Sequence, residues 1–138
     1  VLLNYAEALN EYLDAPTNDV YDCIVSLRAR AGIEAGNNGL YGLEEGMTKE
    51  QMRDVIRNER RIEMAFEEHR YWDIRRWRIA EEVFASPLRG CQVLNSAGSI
   101  SISEIDVLDV DFEPYRYYYP IPYSEVIKNS NMVQNPKW

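Results

Sequence analysis

A pair of carboxylates placed among apolar residues limits the folds that this chain can adopt. From Thr48 onward, apolar side chains recur at helical spacing, and they are Met52, Val55, Ile56, Ile62 and Phe66. At about 100° per residue, Glu59 points into the middle of this apolar face and Glu63 lies close beside it. A carboxylate buried on an apolar face must be paired with a cation, or its pKa must shift.

This position allows two interpretations of the carboxylates. In the first, Glu59 and Glu63 form a catalytic pair of the kind that hydrolyses glycosidic bonds. In the second, they belong to a structural ion-pair network with arginines of the following helix, because planar guanidinium groups suit bidentate pairing. Those arginines are Arg70, Arg75 and Arg76. A catalytic carboxylate needs a cleft, whereas isoleucine and phenylalanine flank this face, so we favour the structural network and predict no enzyme.

Four helical segments with clear breaks account for residues 1–84. The first helix is predicted from about residue 1 to Leu13, before Pro16. A second helix ends at Gly32, and the two form an antiparallel pair the size of one tetratricopeptide-like unit. Residues 34–47 form a glycine-rich loop. Two further helices are predicted over residues 48–68, opened by a capping box of Thr48 and Gln51, and over residues 71–84.

The helical period disappears after residue 87. Alternation of polar and apolar residues predicts a short strand over residues 99–103 and, in part, over residues 107–112. Ser124 is placed to begin a last short helix. The predicted fold class is therefore mostly α, with tetratricopeptide-like helix pairs and an irregular C-terminal region containing short strands.

Composition and charge exclude several classes of protein. The 138 residues carry a net charge of −8, which argues against a general nucleic-acid binder. No apolar run approaches the roughly 18 residues that span a bilayer. His69, the single histidine, has no metal ligand at suitable spacing, and Asp106, Asp109 and Asp111 lack the spacing of an EF-hand, although their carboxylates leave a Ca²⁺ site open. We predict no cofactor and no metal site.

Aromatic side chains are the other candidates for ligand contact. Five tyrosines near the C-terminus could stack on sugar rings or cover the helices, and packing is favoured because half-buried tyrosines are common. They are Tyr115, Tyr117, Tyr118, Tyr119 and Tyr123. Tyr41, in the glycine-rich loop, is the better-exposed candidate for a ligand contact.

Three segments carry a resemblance to a known family. Residues 58–77, NERRIEMAFEEHRYWDIRRW, resemble the signature of the SusD/RagB family, which reads approximately ERRIELAFEGHRYWDLRRW. Residues 27–32, LRARAG, resemble the family's IRxRAG helix end, and residues 119–136 resemble its closing PIPxxE and NPNLxQNPGY segments. Glu68 stands where the family pattern has glycine. The resemblance covers nearly the whole chain.

The resemblance implies a mostly α-helical fold and a lipoprotein on the outer face of the Bacteroidetes outer membrane. It implies that the protein captures glycans or other nutrients and caps a SusC-like TonB-dependent transporter. Because the chain opens inside a helical pattern, we expect residues 1–138 to be the C-terminal SusD/RagB-like part of a longer protein, whose lipid anchor lies outside this segment. The alternative is a helical-repeat module that binds only proteins, without a glycan.

Overall fold

The computed structural model describes all 138 residues, which form two compact units, Val1–Arg70 and Tyr71–Trp138. The mostly helical fold with a small sheet confirms the predicted fold class. The elements in chain order are α1 (Leu2–Tyr12), α2 (Asn18–Arg30), α3 (Lys49–Glu63), α4 (His69–Arg76), α5 (Ala80–Val83), β1 (Leu88–Ser96), β2 (Ser99–Leu108), a 3-10 turn (Pro114–Tyr117) and α6 (Tyr123–Val126).

The first unit packs α1 against both α2 and α3. Its buried core consists of Leu3, Ala6, Val20, Cys23, Ile24, Leu43, Met52 and Ile56. The core residues of the helices recur at helical spacing, so α2 and α3 each turn an apolar stripe toward α1. Leu43 brings the glycine-rich loop into the same core.

Two helix ends follow the local sequence signals. At the start of α3, the Thr48 hydroxyl accepts a hydrogen bond from the Gln51 amide, and the Thr48 amide donates to Gln51 Oε1, so the capping box is confirmed. At the end of α2, the Ile33 amide donates to the Arg28 carbonyl while Gly32 adopts a left-handed φ of 81°. This is the Schellman arrangement, in which glycine at the left-handed position avoids a steric cost.

Glu59 is buried on α3, with 6% of its surface exposed, and it pairs with an arginine of α2. Arg28 Nε and Nη2 each donate to one Glu59 carboxylate oxygen, at 3.1 Å in both cases. Arg28 Nη1 donates to the Tyr41 carbonyl at 2.9 Å. One guanidinium therefore satisfies the buried carboxylate and fastens the glycine-rich loop to the helix pair.

The partners of the two glutamates differ from the expected ones. Glu63 also pairs with α2, through Arg30. The expected partners were Arg70, Arg75 and Arg76 of the following helix, but the guanidinium groups that contact these carboxylates come from α2, which precedes α3 in the chain. The periodicity of α3 places a carboxylate on the buried face without showing which neighbouring helix supplies its cation.

The helix predicted to continue to residue 68 ends at Glu63. Phe66 and Glu68 have left-handed φ angles of 65° and 62°, and the turn between them separates α3 from α4. Phe66, expected on the buried face, is fully exposed, and Ile62 is also exposed. Once the backbone leaves the helical conformation at Met64, later side chains no longer follow the helical stripe.

The helix predicted over residues 71–84 is divided into α4 and α5. The Ile79 amide donates to the Ile74 carbonyl and the Arg78 amide to the Arg75 carbonyl, while Arg78 takes a left-handed φ of 55°. This is a second Schellman-type end, with arginine at the position that usually holds glycine. The expectation of one continuous helix was therefore wrong.

A β-hairpin follows, in which β1 and β2 pair antiparallel around Ala97 and Gly98. Strand β2 extends beyond the predicted alternation of residues 99–103 and ends at Leu108, and β1 was not predicted at all. Both faces of the hairpin are largely exposed. None of the helices of the chain has both the length and the apolar character needed to cross a membrane.

The buried pair of Arg28 and Glu59 gives a first prediction. Glu59→Ala is expected to lower the free energy of unfolding by about 3 kcal/mol, because it leaves a largely buried guanidinium without its counter-charge. Glu63→Ala is the matched control and should cost less than about 1 kcal/mol, because the Arg30 side chain is mostly exposed. Urea unfolding followed by circular dichroism measures both, and equal losses would contradict the special role of the buried pair.

The left-handed residue at position 68 gives a second prediction. Glu68→Gly is expected to raise the free energy of unfolding by about 1 kcal/mol, since it removes the steric cost of a side chain at positive φ. Glu67→Gly removes a neighbouring glutamate and adds only backbone entropy to the unfolded state, so it should destabilise the chain. The same urea measurement distinguishes them, and a destabilising Glu68→Gly would refute the argument.

Candidate functional site

The carboxylates considered for catalysis are both engaged in ion pairs. Arg28 occupies the two oxygens of Glu59, and Arg30 contacts Glu63. A general acid or nucleophile needs an oxygen that faces a substrate cleft. The pairing of both groups across the α2–α3 contact favours a structural role.

The three arginines assigned to the same network have other neighbours. Arg76 Nε donates to Asp73 Oδ1 at 2.9 Å on the same helix. The Arg75 guanidinium lies over the Tyr71 ring, 3.5 Å from its centroid, and Nη1 donates to the Tyr71 carbonyl at 3.2 Å. Arg70 is half-buried at the end of the first unit and also has an interaction partner.

Tyr41 is less available for a ligand than the sequence suggested. Its residue is half-buried, its backbone has a left-handed φ of 52°, and its carbonyl accepts the hydrogen bond from Arg28. Expectation had placed it as an exposed contact of the glycine-rich loop. The Tyr41 carbonyl anchors the loop, because it accepts a hydrogen bond from the buried Arg28 guanidinium.

The C-terminal tyrosines divide into packing residues and exposed residues. The Tyr117 hydroxyl accepts from the Ala80 amide at 3.0 Å, and its ring meets Phe112 edge-on at a centroid distance of 5.0 Å. Tyr115 packs edge-on against Trp138. Tyr118, Tyr119 and Tyr123, by contrast, are all at least half exposed. Tyr115 and Tyr117 therefore pack against the protein, whereas Tyr118, Tyr119 and Tyr123 keep exposed surface.

Three exposed aromatic rings come together on the second unit, and we call them the aromatic platform: Tyr71, Trp72 and Tyr119. Trp72 is 56% exposed, Tyr119 54% and Tyr71 43%. The Tyr71 and Trp72 rings meet edge-on at 5.0 Å, and the Trp72 and Tyr119 rings lie 6.1 Å apart with a 40° tilt. Such contiguous exposed apolar surface on a folded protein commonly marks a binding site.

Hydrogen bonds hold the platform in one geometry. The Tyr71 and Tyr119 hydroxyls are hydrogen-bonded to each other, and this bond raises the pKa of Tyr119. Asn135 Nδ2 donates to the Tyr119 carbonyl at 2.6 Å, while Gln134 exchanges two hydrogen bonds of 2.8 Å with the backbone of Ile121. The segment around the two prolines is thus fixed beside α4.

Positive charge borders the platform without carboxylate partners. Arg75 lies against Tyr71, and Arg78 Nη1 donates to the Tyr118 hydroxyl at 3.2 Å, a bond that raises the pKa of Arg78. Neither arginine is within ion-pair distance of an aspartate or glutamate. The Arg75 guanidinium also lies near the Phe112 ring, and its Nε is buried without a hydrogen-bond partner, whereas Arg78 is exposed.

No group of three metal-ligating side chains converges anywhere in the chain. Asp106 Oδ1 lies 3.8 Å from Arg89 Nε across the hairpin, so a guanidinium already pairs with this carboxylate. His69 is exposed at the start of α4. Asp109 and Asp111 follow β2 in an irregular segment that leads to the 3-10 turn.

The aromatic platform was not predicted, because Trp72 falls within the single helix expected over residues 71–84. The break at Arg78 shortens that helix, and Trp72 then remains half exposed. Tyr71 and Tyr119 are 48 residues apart, so their contact leaves no local motif. The sequence held one indirect signal. Both segments carry tyrosines, and the phenol group of a packed tyrosine needs a hydrogen-bond partner.

Comparison with known proteins places these features in a family. The SusD family profile matches residues 1–138. A SusD-like protein P2 of Formosa agariphila is 32% identical over 135 residues, covering 98% of this chain and 23% of that protein. The crystal structure of a SusD-like protein from Bacteroides fragilis superimposes with a TM-score of 0.75 at 30% identity, covering 99% of this chain and 24% of that one.

A SusD homologue from Bacteroides thetaiotaomicron, also solved as a crystal structure, gives a TM-score of 0.69 at 29% identity, over 99% of this chain and 25% of the homologue. The chain therefore spans about a quarter of the length of the relatives it matches. The profile match over the whole chain, the related sequence and the shared fold agree with one another. This chain belongs to the SusD family.

Proposed function

We propose that the chain is part of a non-catalytic glycan- or nutrient-binding protein of an outer-membrane import system. The profile match over residues 1–138 carries this proposal, because proteins of the SusD family are binding proteins. The proposal includes the location that the family implies: a lipoprotein at the extracellular face of the outer membrane, beside a SusC-like TonB-dependent transporter. Its ligand is a glycan or another nutrient.

The geometry supports binding more than catalysis. The aromatic platform offers ring faces at fixed angles, and an aromatic face suits the C–H face of a pyranose. Rigid support is what a binding surface needs, because ordering side chains on binding costs affinity. The carboxylates of Glu59 and Glu63 on α3, by contrast, are paired with arginines of α2.

A second candidate function is a module that binds only proteins. The hairpin favours it, because one face of the paired strands carries Val93, Ile100 and Ile102, all more than half exposed. Aliphatic surface of this kind suits a protein partner better than a hydrated sugar. Glycan binding distinguishes the two candidates.

Electrophoresis in native gels that contain polysaccharides tests the proposed function. We expect the 138-residue chain to be retarded by at least one polysaccharide of a chemically varied panel, relative to a gel without polysaccharide and to an unrelated protein of similar charge. Tyr41→Ala should leave the retardation unchanged, because Tyr41 is half-buried and serves the loop. Incubation with the same polysaccharides should release no reducing ends.

Failure of every polysaccharide to retard the chain, together with binding of a protein partner, would favour the protein-interaction module. Release of reducing ends that Glu59→Gln abolishes would contradict a non-catalytic role. Loss of retardation in Tyr41→Ala, with the unfolding curve unchanged, would place the ligand at the glycine-rich loop instead of the aromatic platform.

A further inference from the structure

The glycine-rich loop contains an asparagine that is followed directly by a glycine. Asn38 and Gly39 form the single asparagine–glycine pair of the chain. Both residues are exposed, and a Cβ added to Gly39 would meet no atom within 4 Å. Because glycine lacks a side chain, its backbone nitrogen is accessible to the amide group of the preceding asparagine. Asparagine is chemically labile, and in this sequence pair its side-chain amide is lost most easily.

The Asn38 side chain also holds the loop in its conformation. Its Oδ1 accepts a hydrogen bond from the Leu40 amide at 3.1 Å, and its Nδ2 donates to the Leu43 carbonyl at 3.2 Å. The first bond is the local turn that asparagine commonly forms with the backbone two residues ahead. The second bond holds the segment that places Leu43 in the core. One side-chain amide therefore closes the loop through both of its ends.

The reaction of this pair takes place within the chain and needs only water. After the Gly39 nitrogen loses its proton to a solvent base, it forms a bond to Asn38 Cγ, and the Cγ–Nδ2 bond breaks. The leaving nitrogen takes up a proton from solvent and departs as ammonia, which leaves a cyclic succinimide. Water then opens the ring at either carbonyl and gives aspartate or isoaspartate. The net change is the uptake of water and the loss of ammonia.

The folded loop restrains this reaction. The Gly39 amide donates to the Gly36 carbonyl at 3.4 Å, which shields its proton from base, and the two hydrogen bonds of Asn38 fix the side chain. The loop must open locally and break these bonds before the nitrogen can attack. The rate of the reaction in the folded chain therefore follows the opening of the loop.

We propose that Asn38 is a site of covalent modification, and that its deamidation releases the glycine-rich loop from the helix pair. Loss of Nδ2 turns the donor that faced the Leu43 carbonyl into a carboxylate oxygen, and two acceptors at this distance repel each other. Isoaspartate also lengthens the backbone of the turn by a methylene group. Glu44 and Glu45 follow in the same loop, so the new charge enters an acidic segment. The modified loop opens more often, and the change is irreversible because ammonia is lost to solvent.

Mass spectrometry of the aged chain tests the site. During incubation of the 138-residue chain in mildly alkaline buffer, peptides with Asn38 should show the mass of an acid in place of an amide sooner than peptides with Asn95 or Asn129. Both control asparagines are exposed but are followed by serine. Electron-transfer fragmentation should show isoaspartate together with aspartate at position 38, which marks the succinimide route. Equal rates at the three asparagines, or aspartate without isoaspartate, would overturn the site.

A variant at the far end of the loop tests whether loop opening controls the reaction. The Tyr21 hydroxyl accepts from the Met47 amide at 2.9 Å and donates to the Glu44 carbonyl at 3.2 Å. Tyr21→Phe should speed deamidation of the folded chain about fivefold, since losing a hydrogen bond shifts the opening equilibrium by about that factor. Tyr12→Phe, at an exposed tyrosine of α1, is the matched control and should leave the rate unchanged. The urea-unfolded chain should react faster still, and identical rates in all of these samples would overturn control by the loop.

Hydrogen exchange tests the release of the loop. In Asn38→Asp, the amides of residues 40–47 should exchange about tenfold faster than in the unsubstituted chain, since a repulsive contact replaces a hydrogen bond. Asn37→Asp adds the same charge at the exposed neighbouring position and should change the exchange much less. Equal effects of the two variants would overturn the release. The deamidated fraction of the aged, unsubstituted chain is resolved by its mass, so it gives the same measurement and decides alone where Asn38→Asp does not fold.

Discussion

The first unit depends on one buried guanidinium. Arg28 makes three hydrogen bonds, two to the Glu59 carboxylate and one to the Tyr41 carbonyl, and so joins α2, α3 and the glycine-rich loop. Two charges removed from water are stable only where each has geometrically good partners. The apolar contacts of the three helices would tolerate small shifts along their axes, whereas this forked arrangement would not. The ion pair therefore fixes the positions of the helices along their axes, which the less directional hydrophobic contacts do not fix.

Local signals in the sequence predicted local features of the fold. The capping box at Thr48 and the Schellman end at Gly32 use side chains and backbone within a few residues, so they could be identified before any packing was known. The ends of α3 and α4 were not predictable in the same way. Phe66, Glu68 and Arg78 occupy the left-handed region without being glycine, and only tertiary contacts can stabilise such conformations against their intrinsic cost.

Long-range features of the site were predicted less well, for a related reason. The sequence indicated that Glu59 needs an arginine, but both neighbouring helices carry arginines at suitable positions. The choice of α2 depends on how three helices pack together. The same holds for the tyrosines: their amphipathic character favours half-burial, and whether Tyr117 or Tyr119 faces solvent is decided by contacts with Ala80 and Tyr71.

The platform joins residues that are far apart in the chain. Tyr71 and Tyr119 are separated by 48 positions, and Asn135 must then close over the Tyr119 carbonyl. Contacts of such high sequence separation carry a loop-closure entropy and form only after the intervening chain has been ordered. The surface therefore exists only in the folded second unit, and any ligand of the platform binds the folded chain and not the unfolded one. By mass action, such a ligand stabilises the whole unit, hairpin included, in proportion to the logarithm of its concentration above the dissociation constant.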